Sequence, residues 1–305
     1  MWVSVMANWL ITGGCGFIGA NLCLEICDKF PMDEVVIIDR IVRYVDNIPR
    51  IKIYNMEGFD KDMLKYICHK HNIDFFVHLA AQTSVPKSIE HPVYDCSQNT
   101  MNIIRCLEAT RDSNVKKFLF ASSTAVTMPH ICPYAISKAA CEDYCKLFHR
   151  LYGLDTIIVR PSNVYGPYSE HKESVVAKFI KDVIYGEPVT IYGDGKQERD
   201  FIYVSDLIDG IKLAINSEVG GRTFNLSTSS SISVLELTKR LNILSQKYLN
   251  RRMQIKYGEQ RKGDVSRSVL GNVVATITLG FYPRINLEEG LEKTFKWFLE
   301  YYGKS

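Results

Sequence analysis

Short, continuously apolar runs alternate with longer segments of helical period through the first half of the chain. The runs Trp9–Thr12, Val35–Asp39, Ile51–Asn55, Phe75–Leu79, Lys117–Ser122 and Thr156–Arg160 predict strands. Between most of them lie Phe17–Phe30, Asp60–Asn72, Tyr94–Asp112 and Tyr134–Tyr152, whose length and period predict helices. Strands apolar on both faces and separated by helices predict a doubly wound parallel α/β sheet, covered on both sides. After Pro161 the alternation loosens into turns such as Tyr165-Gly166-Pro167 and Tyr192-Gly193-Asp194-Gly195. We expect residues 1–165 to form one domain, with part of about 200–228 returning to it, and 166–305 to form mainly a smaller α/β substrate-binding lobe.

Composition changes this picture little. The 305 residues carry 37 Lys plus Arg against 34 Asp plus Glu, a formal charge of +3, which argues against a nucleic-acid partner. No run of eighteen apolar residues occurs, so no membrane-spanning helix is expected, and Met1 to Ile11 lacks the basic leader of a signal peptide. Nine cysteines without a CxxC pair predict reduced thiols and a cytoplasmic location.

The first predicted strand runs into Thr12-Gly13-Gly14-Cys15-Gly16-Phe17-Ile18-Gly19, which opens the first predicted helix. Glycines at Gly13, Gly16 and Gly19 permit a tight turn, close backbone approach to a pyrophosphate, and close helix–sheet packing. The helix N-terminus then offers unpaired N–H groups and a positive dipole end to phosphate. Asp39 ends the second predicted strand, 20 residues after Gly19, where a carboxylate accepts from a ribose 2′-OH. These residues predict a Rossmann-type dinucleotide site. Asp39 would repel a 2′-phosphate and favours NAD, while Arg40 and Arg43 keep NADP open as the alternative.

Tyr134 and Lys138 are four apart on one predicted helix and share a face. A nearby ammonium favours a phenolate, and lowering a tyrosine pKa by roughly three units corresponds to about 4 kcal/mol. The pattern Tyr-x-x-x-Lys also begins at Tyr66, Tyr168 and Tyr192, so spacing alone proves little. Context selects Tyr134, because Phe118-Leu-Phe-Ala-Ser-Ser-Thr124 places hydroxyls at the carboxyl end of a predicted strand, where such sheets bind ligands. Ser123 or Thr124 can there hydrogen-bond a substrate hydroxyl while Tyr134 takes its proton. Cys141, Cys145 and His149 share a helix face but span too far for a compact tetrahedral site, and no metal is expected.

The ordered set of motifs resembles the extended short-chain dehydrogenase/reductase family, in its nucleotide-sugar epimerase and dehydratase branch. Beyond the glycine turn it comprises His78-Leu-Ala-Ala-Gln-Thr-Ser-Val85, Asn99 opening a helix that ends Leu107-Glu-Ala109, and Tyr134-Ala-Ile-Ser-Lys138. Arg160-Pro-Ser-Asn-Val-Tyr-Gly-Pro167, Ile191 through Val204, and Arg261-Lys-Gly-Asp-Val265 follow. The resemblance implies that Gly13, Gly16, Phe17, Ile18, Gly19, Asp39, Arg40, Leu79, Ala80, Ala81, Asn99, Tyr134 and Lys138 hold the cofactor. It implies a substrate site of Thr83, Ser84, Lys87, Asn163, Val176, Tyr192, Arg199, Arg261 and Asp264. Asn163, Arg199 and Arg261 would take a diphosphate, Asp264 a ribose, and Tyr192 with Val176 the base. The implied partner is a nucleotide-diphosphate sugar, and the implied assembly a homodimer.

The implied chemistry is transient oxidation at the sugar C4 by NAD, giving a 4-keto intermediate that is either re-reduced on the other face or dehydrated across C5–C6. Dehydratases of the family carry an Asp-Glu pair where this chain has Thr124-Ala125, which leans towards a 4-epimerase. The connection Val126-Thr-Met-Pro-His-Ile-Cys-Pro133 is shorter than the family's usual loop, a feature also of some dehydratases that invert C5. Lys87, His130 and Cys132 are the nearest substitutes for a missing acid and base. The alternatives are therefore a 4,6-dehydratase, with or without C5 inversion, and then a keto-sugar reductase. The Gly58-Phe59-Asp60 stretch departs from the family's adenine contact.

Overall fold

The computed structural model of the chain describes residues 6–260 and 265–303. Its first elements are β1 (Asn8–Thr12), α1 (Phe17–Lys29), β2 (Glu34–Asp39), β3 (Ile51–Asn55), α2 (Lys61–Lys70) and β4 (Phe75–His78). Next come α3 (Val85–Glu90), α4 (Pro92–Cys96), α5 (Asn102–Arg111), β5 (Lys117–Ala121), α6 (Pro133–Tyr152) and β6 (Thr156–Pro161). Then follow β7 (Asn163–Tyr165), α7 (Val175–Tyr185), β8 (Val189–Tyr192), β9 (Glu198–Arg199), β10 (Phe201–Tyr203), α8 (Val204–Ile215) and β11 (Arg222–Leu226). The chain closes with β12 (Ile232–Ser233), α9 (Val234–Leu249), β13 (Ile255–Gly258), β14 (Arg267–Ser268), α10 (Val273–Leu279) and α11 (Leu287–Gly303).

Seven strands form one sheet in the order β11-β6-β5-β4-β1-β2-β3. The pairs from β6 to β3 are all parallel. This is the doubly wound arrangement expected from the sequence, with the order reversing between β1 and β4, the point where such sheets open a crevice. The six strands anticipated are all present, because Val35–Ile38, Phe76–Val77 and Phe118–Phe120 are buried on both faces. The seventh, β11, is an edge strand whose burial alternates, and its Arg-Thr-Phe-Asn-Leu run is too polar to read as a central strand.

The stretch predicted as one helix from Tyr94 to Asp112 is instead α4, a π-helical turn at Ser97–Met101, and α5. The extra residue in that turn gives Asn99 its own register, and π-turns of this kind cluster at functional sites.

The chain divides into two compact units, one running to Arg160 and including Gly210–Phe224, the other Pro161–Asp209 with the chain from Asn225 onward. In the first, the face of the sheet holding Leu10, Val36, Phe76 and Phe118 packs with Leu64 and Ile67 of α2, Ile103 and Leu107 of α5, and Cys141 and Cys145 of α6. In the second, β7 pairs with β10, β8 with β13, and β9 with β12 and β14, over a core drawn from α7, α9 and α11. There Gly290 lets α11 meet β7, since a Cβ would stand 2.1 Å from the Tyr165 hydroxyl. No helix among the described residues is long and apolar enough to cross a membrane. All nine cysteines are unpaired thiols.

Candidate active site

The turn from β1 to α1 is built so tightly that side chains cannot be added to it. Gly13 adopts φ +73°, and a Cβ there would lie 2.8 Å from the Ala80 backbone nitrogen. At Gly19 a Cβ would lie 2.1 Å from the Gly13 carbonyl oxygen. The backbone of Gly13 therefore meets Leu79 and Ala80 at the end of β4, and the first turn of α1 folds onto the glycine turn. Gly16 is the N-cap of α1 and no side chain caps it, so the helix presents its first N–H groups unshielded by a side chain. Phe17 and Gly19 are buried and Ile18 is half-buried, while Leu79, Ala80 and Ala81 are half-buried beyond β4.

Asp39 ends β2 and accepts from the Cys15 N–H at 3.0 Å and the Ile41 N–H at 3.1 Å. Its carboxylate is thereby fixed beside the glycine turn. Arg43 donates from Nε to the Cys15 carbonyl at 3.0 Å, and Arg40 from Nη1 to the Tyr94 hydroxyl at 3.3 Å. A glycine cradle, an open helix N-terminus and an adjacent carboxylate together fit a dinucleotide: pyrophosphate on the α1 N–H groups, ribose on Asp39. Asp60 caps α2 through the Met63 N–H, and the Phe59 ring packs edge-on against His78 with centroids 5.7 Å apart. Both are thus engaged within the fold.

β5 ends at Ala121, and the chain turns at Ser123, whose hydroxyl accepts from the Ala125 N–H at 3.2 Å. Short 3-10 turns at Thr124–Thr127 and Pro129–Ile131 then lead into α6. This compact connection brings Tyr134 back towards Ser123, whose hydroxyl acts on the phenol. Lys138 is buried one turn on, with Nζ donating to the Ala121 carbonyl at 2.8 Å and lying 4.5 Å over the Phe120 ring. Burial pushes the Tyr134 phenol up to about 12, against a smaller opposite pull from the Ser123 hydroxyl. Burial likewise pushes Lys138 down to about 8. For the tyrosine, desolvation here outweighs the neighbouring side chains.

Around Tyr134 stand Cys132 and Ala135, with Val85, Ala125 and Ile131 packed against them. Thr124 is half-buried, whereas His130 is exposed. Ser84 caps α3 through the Lys87 N–H, Thr83 is exposed, and the Lys87 ammonium sits 4.5 Å over the Tyr94 ring.

Two buried carboxylates, Asp95 and Glu142, escaped sequence reasoning. Asn99 accepts from the Gln82 N–H at 2.9 Å and donates to the Gln82 carbonyl at 3.1 Å, and its amide also donates to buried Asp95. Asp95 precedes Asn99 by four residues, a spacing that places both on one helix face and was the available signal. On α6, Glu142 accepts from the Ser122 hydroxyl at 2.6 Å and from Arg160 Nε and Nη2 at 2.7 and 2.5 Å. The forked pair ties α6 to β6, and the Ser122 bond ties it to the residue preceding Ser123.

In the second unit, Asn163 donates from its side-chain amide and its backbone N–H to the Asp200 carbonyl, both at 2.9 Å. Arg199 follows Glu198 on β9 and donates to its carbonyl at 2.7 Å. Tyr192 ends β8 opposite Gly258, and Val176 is buried in the α7 core. Asn163 and Arg199 are thus drawn together through Asp200, while Val176 faces packing neighbours. Arg261 and Asp264 lie outside the described residues.

A family model, described as NAD dependent epimerase/dehydratase family, matches residues 9–227. The chain belongs to the NAD-dependent epimerase/dehydratase family. It is 31% identical over 314 residues to a UDP-glucose 4-epimerase of Mycolicibacterium smegmatis, covering 95% of this chain and 97% of that one. Its fold superposes on the crystal structure of a Thermotoga maritima UDP-glucose 4-epimerase with UDP-glucose, at TM-score 0.88 and 32% identity, covering 97% of this chain and 99% of the other. A Streptomyces venezuelae dTDP-glucose 4,6-dehydratase crystallised with NAD gives TM-score 0.89 at 26% identity, covering 97% and 98%. As a member of this family the protein is an NAD-dependent enzyme of the epimerase or dehydratase kind, and the glycine cradle, α1 N-terminus and Asp39 described above are suited to that cofactor.

Proposed function

We propose that this family member is a nucleotide-sugar 4-epimerase acting on a UDP-hexose or UDP-N-acetylhexosamine through a 4-keto intermediate. NAD, when bound, accepts and returns the hydride of the transient oxidation at C4. Ser123 hydrogen-bonds the C4 hydroxyl and Tyr134 takes its proton. Lys138 stabilises the phenolate that results. Moving Tyr134 from about 12 to neutral pH requires about 7 kcal/mol of differential stabilisation, towards which the positive charge of a bound nicotinium ring would contribute.

The observation that carries the epimerase reading is what surrounds Tyr134. Thr124 and Ala125 occupy the positions of a dehydratase acid and base, and Val85, Ala125, Ile131 and Cys132 make an apolar wall there. Lys87 is engaged with Tyr94 and His130 is exposed, so neither supplies the missing pair. Without the family's acid–base pair, a 4-keto sugar keeps its C5 proton and C6 hydroxyl and returns to a 4-hydroxy sugar. Asn163 and Arg199 are the amide and guanidinium donors proposed for the diphosphate, with Arg261 as a second cation.

The exposed apolar side chains of Met101, Ile136 and Leu151 along the Asn99 and Tyr134 helices suit a homodimer, which sedimentation would test. Nine free thiols suit the reducing cytoplasm. Incubation with UDP-glucose, UDP-galactose, UDP-GlcNAc and dTDP-glucose, followed by NMR of the products, tests the function. A 4-epimer is expected; a 6-deoxy-4-keto product assigns the dehydratase reaction instead, and no turnover of any nucleotide sugar sinks the reading.

A further inference from the structure

Asp95 is a fully buried carboxylate that the proposed reaction leaves unused. Its Oδ1 accepts from Gln82 Nε2 at 2.9 Å and Asn99 Nδ2 at 3.1 Å, and its Oδ2 from the Ser137 hydroxyl at 2.6 Å. These three donors come from the segment after β4, the π-helical turn and α6. All are neutral, so they satisfy the carboxylate's lone pairs without balancing its charge. Burying an ion without a counter-charge is strongly unfavourable, so its balance must come from nearby.

Lys138 follows Ser137 in the chain and is buried, with a neutral carbonyl as its hydrogen-bond partner. The groups that act on Lys138 are Cys141, Asp95, Cys145 and Glu142, and His78 on β4 is acted on by it in turn. Burial keeps Cys141 (about 11) and Cys145 protonated, and it keeps His78 neutral by lowering it to about 3. Glu142 is already engaged by the forked bond to Arg160 and lies 3.7 Å from Lys146. That leaves Asp95 as the anion with no cation in hydrogen-bond contact. The Asp95 charge also acts on Tyr134, raising it, so it favours the Lys138 ammonium while opposing the phenolate.

We propose that Asp95 is a positioning residue for the Tyr134–Lys138 pair: its bonds to Ser137 and Asn99 fix the first turns of α6, and its charge keeps Lys138 an ammonium. The inference rests on reading Lys138 as a working member of that pair. Without the carboxylate, burial would drive the lysine towards its neutral amine, which cannot steady a phenolate.

The test reads Lys138 directly. In protein labelled with [13Cε]lysine, the Lys138 signal is identified by its loss in Lys138→Arg and titrated with pH. Asp95→Asn is expected to lower the Lys138 midpoint by about one pKa unit while other lysines stay in place. Ser137→Ala, which removes a hydrogen bond but keeps the charge, should leave that midpoint within about 0.3 unit. A folded Asp95→Asn protein with an unchanged Lys138 midpoint overturns the inference. If Asp95→Asn does not fold, the unsubstituted protein labelled with [13Cγ]aspartate gives a second measurement. Its Asp95 signal, recognised by its displacement in Ser137→Ala, must then inflect at the Lys138 midpoint, and a flat response overturns the inference equally. Neither readout needs turnover, so a failure of the epimerase assay is separable from a failure here. Where turnover is measured, the alkaline limb of kcat/KM should move down by the same unit in Asp95→Asn.

Discussion

Replacing Gly19 by alanine should damage this protein although alanine is the better helix former. In an ordinary helix interior the change gains about 1 kcal/mol. Here the added Cβ would stand 2.1 Å from the Gly13 carbonyl oxygen, 2.6 Å from Gly14 Cα and 2.9 Å from the Gly13 carbonyl carbon. All three are backbone atoms, so no side chain can rotate aside. To reach ordinary contact, α1 must retreat from the turn by about 1.3 Å, against an interior packed like a crystal. Overpacking of this kind costs about 1–3 kcal/mol. A contact this short belongs at the upper end, which leaves a net loss of about 2 kcal/mol after the propensity gain. The same retreat draws the α1 N–H groups away from a bound pyrophosphate. Loss of one charge-assisted hydrogen bond, about 1.5–3 kcal/mol, weakens NAD by roughly ten- to hundredfold. Urea denaturation reads the first effect and calorimetric titration with NAD the second. Gly271→Ala, where nothing lies within 4 Å of the added carbon, serves as the neutral control. A Gly19→Ala protein as stable as the parent, with unchanged NAD affinity, would refute the packing argument.

Tyr134→Phe keeps the buried ring and removes the hydroxyl, so turnover should fall by 10²-fold or more with NAD affinity nearly unchanged; steady-state kinetics beside calorimetry checks this. Glu142→Gln leaves the Arg160 guanidinium without its forked carboxylate, and urea midpoints should show a loss of about 3–5 kcal/mol. His78 is held neutral, with its pKa lowered to about 3, by burial and by Lys138. The unfolded chain takes up that proton near pH 6.5, so this contribution to stability is full above 6.5 and is lost as pH falls towards 3, by up to roughly 4 kcal/mol. Urea midpoints from pH 7 to pH 4 should fall less steeply in His78→Gln than in the parent, and equal slopes would contradict the assignment.

The sequence by itself determined the sheet and its dinucleotide turn, because both depend on local pattern. Runs such as Val35–Ile38 and Phe118–Phe120 are apolar on both faces wherever they sit, and only glycine can occupy Gly13 and Gly19. The pairing of Tyr134 with Lys138 was legible from helical spacing, but three other tyrosines share that spacing, and the strand ending at Ser122 was needed to choose among them. The break between α4 and α5 was not legible, since a π-turn changes register without changing composition. Edge strand β11 was lost for a related reason: only two of its five residues are buried. What tertiary structure alone decided is the electrostatics. Residues 40 or so apart in sequence, Asp95 and Ser137, meet at 2.6 Å, and Ser122 meets Glu142. Burial then raises Tyr134 and lowers Lys138, which the spacing of the two residues could not show. Charge and desolvation act through space, and a sequence records only which charges exist.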